Sequence, residues 1–152
     1  MLTLSTLDSR PTLIDIGSTF LPTGQMRLVS RVIRLEGASI EAEVDLGQEH
    51  WVFPQHFPGD PVFPGSLMIE AAGQLVALWA WANGGRGRPR LLRTSAEFKS
   101  PVGPQAARIT LRADVKRKRN MHFAKIEVGT DATHLATVEA VLAVLPASHP
   151  LG

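Results

Sequence analysis

Alternation between apolar and polar residues divides the chain into two groups of predicted strands. In the first group, Met26 to Leu35 is rich in Val, Ile and Leu, and Ser39 to Leu46 alternates strictly, with acidic residues on its polar side. Such alternation is typical of antiparallel strands with one buried face. The second group comprises Leu91 to Phe98, Arg108 to Lys118, a strand marked by Ala124, Ile126 and Val128, and Leu135 to Leu145.

Between the two groups lies one segment with the length and composition of a buried helix. Ser66 to Asn83 is apolar around nearly its whole circumference, and Gly84-Gly85 follows its end. A helix across an antiparallel sheet is an α+β arrangement. We expect a single domain over residues 1–152, with an irregular segment at 1–24 and a loose tail at 146–152. One sheet covers only one side of such a helix, so a second copy of the chain is expected to cover the rest.

The segment that precedes the helix carries the first candidate for chemistry. His50 to Gly65 contains four prolines, which exclude a helix or a central strand and predict a rigid, shaped loop. His56 lies in this loop, and a neutral imidazole held by a stiff backbone suits proton abstraction beside a carbonyl. A lone loop histidine is more often structural or merely exposed, so its neighbours must decide between these interpretations.

A carboxylate inside the apolar helix is the second candidate. Between Leu67 and Trp81, Glu70 and Gln74 are the only residues with polar side chains, and their spacing places them on one stripe of the helix. A carboxylate in apolar surroundings is costly to ionise, which favours the protonated form that a general acid needs. Pairing with an arginine across an interface is the alternative. Gly65 lies where the loop enters the helix, and unpaired N–H groups near it could bind a carbonyl oxygen. The alternative is that Gly65 only forms a tight turn before the helix.

Composition narrows the chemistry further. The chain has 152 residues, 44% of them hydrophobic, a formal net charge of +2 and no cysteine, which excludes disulfides, zinc–thiolate sites and a thiol nucleophile. The other histidines lack metal-ligand spacing, and neither a phosphate loop nor a Gly-x-Ser-x-Gly turn occurs. With no signal peptide and no apolar run long enough for a membrane span, a cytoplasmic protein that binds neither membrane nor nucleic acid is expected. The arginines at 86, 88, 90 and 93 and the run Lys116 to Arg119 form either a solvated face or a surface for an acidic partner.

The loop and helix together resemble a known family signature. The run from His56 to Gly65, followed by Glu70-Ala-Ala-Gly-Gln74, is similar to the motif of the hotdog-fold β-hydroxyacyl-acyl-carrier-protein dehydratases of FabZ and FabA type. The segment Ala96 to Val102 resembles the Phe-Lys-x-Pro-Val element of the same family. The resemblance extends over roughly residues 26–145 and implies a hotdog fold, in which an antiparallel sheet wraps around one central helix.

The resemblance also implies roles for individual residues. His56 would remove the C2 proton of a (3R)-3-hydroxyacyl thioester, and Glu70 from the other subunit would protonate the departing hydroxyl group. The N–H of Gly65 would hold the thioester carbonyl, and Gln74 would orient the acid. We further expect four residues to contact substrate: Gly65, Gln74, Phe63 and Phe98. The implied partners are an acyl carrier protein bearing the substrate on phosphopantetheine and a second subunit in a homodimer, a higher oligomer or a heterodimer; no metal or redox cofactor is implied.

Departures from the family pattern leave the substrate and the pathway open. Glutamate at position 70 matches the FabZ branch, whereas the FabA branch has aspartate there and also isomerises the double bond. Ser30 stands where the family has aspartate, Gln55 replaces the usual glycine or cysteine before the histidine, and Gly103-Pro-Gln105 replaces Pro-Gly-Asp. Fatty acid and polyketide-type assembly both fit. Two alternatives remain: an acyl thioesterase of the same fold, and a dehydratase-like subunit without catalysis in a heterodimer.

Overall fold

The computed structural model describes residues 10–55 and 59–146. The expected base, His56, lies outside the described residues, as do the first nine residues and the tail from residue 147. No helix in the described ranges is long and apolar enough to cross a membrane.

Within those ranges, the strands and the long helix follow the predicted order and confirm the α+β class. They are β1 (Arg31–Glu36), β2 (Ser39–Asp45), the central helix (Gly65–Ala82), β3 (Arg88–Phe98), β4 (Arg108–Lys118), β5 (Met121–Gly129) and β6 (His134–Leu145). The six strands form one sheet in the order β1-β2-β4-β5-β6-β3, and every neighbouring pair is antiparallel. Since β3 pairs only with β6 among the described strands, it forms an edge of the sheet.

The central helix lies on one face of the sheet and shares the core with it. Its buried residues include Leu75, Val76 and Leu78, which pack with the inward positions of β2, β4, β5 and β6. The Trp79 indole N–H donates to the carbonyl oxygen of Gly37 at 3.0 Å, which ties the helix to the turn between β1 and β2. The helix ends where Gly84 adopts a φ of 93°, a conformation that favours glycine.

The structure differs from the predicted boundaries in three places. β3 begins at Arg88 and not at Leu91; Pro89 is tolerated because an edge strand does not need every N–H group for pairing. β1 begins only at Arg31, because the backbone just before it bonds to a helix side chain. The proline-rich loop, from which helix was excluded, contains one helical turn at Val52–Gln55.

The described part of the N-terminal segment, residues 10–24, contains a short 3-10 turn at Ile16–Ser18 and belongs to the core. Ile14, Ile16 and Leu21 are buried in the main hydrophobic cluster. The Leu13 N–H donates to the carbonyl of Val32 at 2.9 Å, and the Thr12 hydroxyl accepts the Val32 N–H at 2.9 Å. These bonds cover the outer edge of β1, and edge strands that stay open are prone to unwanted pairing.

His122 is an unusual member of the core. It lies on the inward face of β5 with only 1% of its surface exposed, and its ring meets the Trp79 ring edge-on at 6.0 Å between centroids. Burial lowers the pKa of His122 below its ordinary value of 6.5, and the charge of Arg117 acts in the same direction, while backbone groups of Leu142 and Asn120 oppose it. The imidazole is therefore neutral in the folded protein at neutral pH.

We predict that His122 makes the fold less stable in mild acid. Below about pH 6.5 the unfolded chain binds a proton that the folded chain rejects, so the free energy of unfolding falls as the pH falls towards the lowered pKa. Between roughly pH 7.5 and 5.5, the wild-type protein should lose up to about 1 kcal/mol more stability than His122→Phe. Urea denaturation at both pH values measures this difference, and equal losses in the two proteins would contradict it.

Candidate functional site

The first backbone N–H groups of the central helix have no helical acceptor. Pro64 precedes Gly65 and provides no side-chain cap, and the first backbone bonds to Pro64 come from the N–H groups of Leu67 and Met68. The earlier N–H groups of the helix therefore lie at its positive end without a helical acceptor. A growing negative charge on a carbonyl oxygen would be stabilised at this position.

Phe98 lies directly on Gly65. A Cβ atom added to Gly65 would come within 2.8 Å of the Phe98 ring, which is closer than real Cβ contacts allow. A larger residue at position 65 would therefore push the Phe98 ring aside. Phe98 is at the end of β3 and is half exposed, and its ring covers the first turn of the helix.

Glu70 and Gln74 lie together, one turn apart, as their spacing predicts. The Gln74 amide group donates to Glu70 Oε2 at 2.9 Å. Gln74 is buried, whereas Glu70 is only partly buried. Among the described residues, Glu70 takes part in no ion pair, so the amide is its partner within the chain.

The other bonds of Gln74 fix which way its amide points. Its oxygen accepts the N–H groups of Leu28 at 3.0 Å and Val29 at 3.2 Å, and its nitrogen also donates to the carbonyl of Met26 at 2.7 Å. If the amide were flipped, its NH₂ group would face the N–H groups of Leu28 and Val29, and no hydrogen bond could form between these donors. The nitrogen must therefore point towards Glu70. Its hydrogen bond occupies Oε2 of the carboxyl group, so Oε1 is the oxygen left for proton transfer.

A cleft of about 440 Å³ opens beside Glu70, between the helix and β3. The helix contributes Glu70 and small or apolar residues of the same stripe, and the opposite wall combines the N-terminal segment with the start of β3. The lining residues are Phe20, Leu21, Pro22, Ile69, Glu70, Gly73, Gln74, Ala77, Arg88, Pro89, Arg90, Leu91 and Leu142. A cleft of this size, mostly apolar with a few polar groups, is typical of a small-molecule site.

Gly73 explains how the cleft reaches the helix surface. A glycine within a helix costs about 1 kcal/mol relative to alanine. A Cβ atom built on Gly73 meets nothing within 4 Å in the described structure beyond the helix itself, so packing does not require glycine here. What glycine provides is open space next to Glu70.

Of the four predicted contact residues, Gln74 lines this cleft, Gly65 and Phe98 lie against each other at the start of the helix, and Phe63 lies in the core. It is 3% exposed, and its ring is 5.7 Å from that of His50 between centroids. Burial lowers the pKa of His50, and its Nδ1 accepts the Val52 N–H at 3.2 Å, so the neutral ring carries its proton on Nε2. These contacts anchor the loop that leads to His56, whose own position lies outside the described ranges.

Sequence reasoning missed several features that border the site. Phe20 and Leu21 line the cleft. They are adjacent apolar residues within a segment rich in proline and glycine, and this pair could have indicated that the segment packs against the protein. The cleft wall at Arg88 to Leu91 was not predicted, because a basic sequence with a proline does not indicate a strand. His122 could have been found, because it shares the alternation of Ala124 and Ile126 and so faces inward.

Comparison with known proteins identifies the architecture. The model of the FabA-like domain family matches residues 21–139, which is well over half of the chain. The matched segment begins at Leu21 in the cleft wall and includes the whole central helix and most of the sheet.

Solved structures agree with this match. The dehydratase heterocomplex ApeI:P from Xenorhabdus doucetiae has a TM-score of 0.72 at 16% identity, covering 87% of this chain and 91% of that one. The thioesterase HI1161 from Haemophilus influenzae has a TM-score of 0.67 at 17% identity over 100% and 96% of the two chains. A mutant of the thioesterase SAV0944 from Staphylococcus aureus subsp. aureus Mu50 has a TM-score of 0.62 at 14% identity over 76% and 92%. The predicted hotdog fold is thereby confirmed, and it is shared by dehydratases and thioesterases.

We predict that Gln74→Leu destabilises the fold. The substitution keeps the volume but leaves the buried N–H groups of Leu28 and Val29 without an acceptor, at about 1–3 kcal/mol for each unpaired group. The free energy of unfolding should fall by about 3 kcal/mol in urea denaturation. Glu70→Gln is the matched control, because its amide oxygen can still accept from Gln74; a loss of the same size in both variants would contradict the interpretation.

Proposed function

The chain belongs to the family of FabA-like domains, and from that premise we propose that it dehydrates 3-hydroxyacyl thioesters to trans-2-enoyl thioesters. The single observation that supports this most is the Glu70 carboxyl group, held by Gln74 at the wall of a largely apolar cleft. The reaction removes a proton from C2 and the hydroxyl group from C3, which leaves as water. It therefore needs a base, an acid and a stabilised carbonyl oxygen.

Glu70 is suited to the role of the acid. Its Oε2 is occupied by the Gln74 amide, which leaves Oε1 to deliver a proton to the departing hydroxyl group. The fixed amide also prevents the carboxyl group from rotating away from the cleft. Such preorganisation matters because general acids act only within hydrogen-bonding distance of the leaving group.

His56 is assigned as the base from its place in the sequence motif. An imidazole near neutrality is suited to removing a proton beside a thioester carbonyl. The carbonyl would receive the N–H groups at the start of the helix, next to Gly65, with the Phe98 ring displaced or lying against the substrate.

The site is proposed to form between two chains. β3 is an edge strand of eleven residues in the described sheet, with Leu91, Leu92 and Phe98 exposed. A long edge with exposed apolar side chains is a liability unless another strand pairs with it. Pairing along β3 with a second copy, or with a related subunit, would close the cleft and bring the loop of one chain to the Glu70 of the other.

Hydrolysis of acyl thioesters is the second candidate, because the fold is shared with thioesterases. In that reaction Glu70 would activate a water molecule, and no hydroxyl group at C3 would be needed. An assay with two substrates distinguishes the two candidate reactions. A 3-hydroxyacyl thioester that becomes an enoyl thioester, together with a simple acyl thioester that releases no free thiol, identifies the dehydratase.

We predict that Glu70→Gln and His56→Ala each lower kcat/KM for dehydration by about 10²–10⁴-fold, the usual contribution of a general acid or base. Conversion of 3-hydroxyacyl thioester to enoyl thioester, followed by mass spectrometry, measures the loss. Unchanged circular dichroism and urea midpoints serve as the control for folding. Near-normal turnover in both variants would refute the assignment.

Mixing the two inactive variants tests whether the site spans two chains. In a mixed dimer, one site combines the intact His56 of one chain with the intact Glu70 of the other, and the second site has neither. After random exchange of subunits, activity should return to about a quarter of the wild-type value. An absence of recovery, with mixed dimers demonstrated by mass spectrometry, would mean that each site lies within one chain.

We predict that Gly73→Leu shortens the acyl chain that the enzyme accepts. The added side chain projects into open space in the cleft, and leucine favours a helix, so the fold should keep its stability. The value of kcat/KM should fall at least tenfold for long acyl chains and change little for a four-carbon substrate. Gly73→Ala is the matched control, with a smaller effect expected. Equal losses for all chain lengths would show that Gly73 does not line the acyl site.

A further inference from the structure

Two arginines form part of the wall of the cleft beside Glu70. Arg88 and Arg90 lie on either side of Pro89 at the start of β3, and all three residues line the cleft. Both arginines are partly buried. A cleft that held only a hydrocarbon chain would need no charged residue in this wall, and the dehydration chemistry proposed above gives these two residues no role.

No acidic side chain in the described structure neutralises Arg90. It takes part in no ion pair with a described residue, and the segment 71–96, which includes most of the helix and the start of β3, contains no acidic residue. Glu70 is the single acid among the described residues that line the cleft, and Gln74 holds its carboxyl group instead. The β3 side of the cleft therefore has an excess of positive charge.

The Arg90 guanidinium group has donors that the described chain does not use. One Nη group donates to the carbonyl of the adjacent Pro89 at 2.9 Å, and no other side-chain bond of Arg90 joins it to a described residue. A hydrocarbon chain that displaced water from the remaining donors would leave them unpaired, which is costly for a charged group. A carboxylate would instead accept two parallel hydrogen bonds from the planar guanidinium group.

The two arginines belong to the part of the cleft that is far from Glu70. Pro89, which lies between them in the strand, also borders a narrow gap lined by Ala77 and Trp81. From Glu70 to Ala77 the distance along the helix axis is about 10 Å. An acyl chain that extends from Glu70 past Gly73 would therefore reach the arginines with its distal part and not with the atoms that react.

We propose that the acyl group of the substrate carries a carboxylate at its far end, which Arg90 binds while Arg88 adds positive charge. This inference rests on the proposed function, because it takes the cleft beside Glu70 as the acyl site. The substrate class is a 3-hydroxyacyl thioester of a dicarboxylic acid, and its second carboxylate is the group that is recognised. The distal carboxylate takes no part in the reaction at C2 and C3, so Arg90 determines specificity and is not a catalytic residue.

The test compares substrates that differ only at the far end of the acyl chain. The intact protein is given 3-hydroxyacyl thioesters with a terminal carboxylate or a terminal carboxamide, which has nearly the same size without the charge, over a series of chain lengths. At the length that reaches Arg90, kcat/KM should be about tenfold or more higher for the carboxylate, the usual value of a charged hydrogen bond. An equal or lower value for the carboxylate at every length would overturn the proposal.

Two arginine variants show whether Arg90 is responsible for this difference. Arg90→Gln should lower the ratio of kcat/KM for carboxylate and carboxamide towards one. Arg93→Gln is the matched control, because Arg93 is an exposed residue further along β3 that borders a separate cleft, and this variant should keep the wild-type ratio. An unchanged ratio in Arg90→Gln, or an equal loss in Arg93→Gln, would contradict the proposal. If Arg90 instead pairs with an acidic residue of a partner chain, Arg90→Gln weakens assembly in size-exclusion chromatography and leaves the ratio unchanged.

Binding of unreactive analogues separates this inference from the proposed reaction. In ketone analogues of the thioesters, a CH₂ group replaces the sulfur atom and the 3-hydroxyl group is absent, so they can be neither dehydrated nor hydrolysed. Calorimetric titration should show tighter binding of the carboxylate-ended analogue than of the carboxamide, and Arg90→Gln should abolish the difference. If this result is obtained and no thioester is dehydrated, the proposed reaction is wrong and the assignment of the acyl group stands. If thioesters are dehydrated and the two analogues bind equally, the assignment of the acyl group is wrong.

Discussion

The amide of Gln74 is the interaction on which the arrangement of the site depends. Its four hydrogen bonds join the segment before β1 to the central helix and, within the helix, hold the carboxyl group of Glu70. A buried amide with all its capacity used has a single stable orientation. The same bonds that end the irregular N-terminal segment therefore determine which oxygen of Glu70 faces the cleft. Folding and the candidate chemistry share one side chain, which is why polar residues so costly to bury are kept in this helix.

Strand order explains why the cleft lies where it does. The chain leaves the helix into β3, which joins the sheet beside the last strand, β6, and becomes the outer edge. The helix covers the middle of the sheet but not this edge, so a space remains between its Glu70 stripe and the start of β3. This edge borders the cleft and exposes Leu91 and Leu92, so the proposed pairing with another subunit would also complete the site.

Local patterns in the sequence predicted most of the fold, because each depends on nearby residues. The alternation of Ser39 to Leu46 and the apolar composition of the helix are set by burial alone, and the contact between Glu70 and Gln74 follows from helix geometry. The partners of Gln74 before β1 could not be predicted, since they are more than forty residues away. Pro89 hid the start of β3 because proline is usually a strand breaker, and only the edge position permits it.

The fold by itself does not separate dehydration from hydrolysis, and the distinction lies in what faces Glu70 across the cleft. Hydrolysis requires an ordered water molecule, and a carboxylate that activates water must accept a proton. Dehydration requires the opposite: a carboxyl group that gives up a proton to a hydroxyl group, beside a base that has taken one from C2. The Gln74 amide donates to the carboxyl group and fixes its orientation, which serves either reaction. The distinction therefore depends on the group that a partner chain would place opposite Glu70.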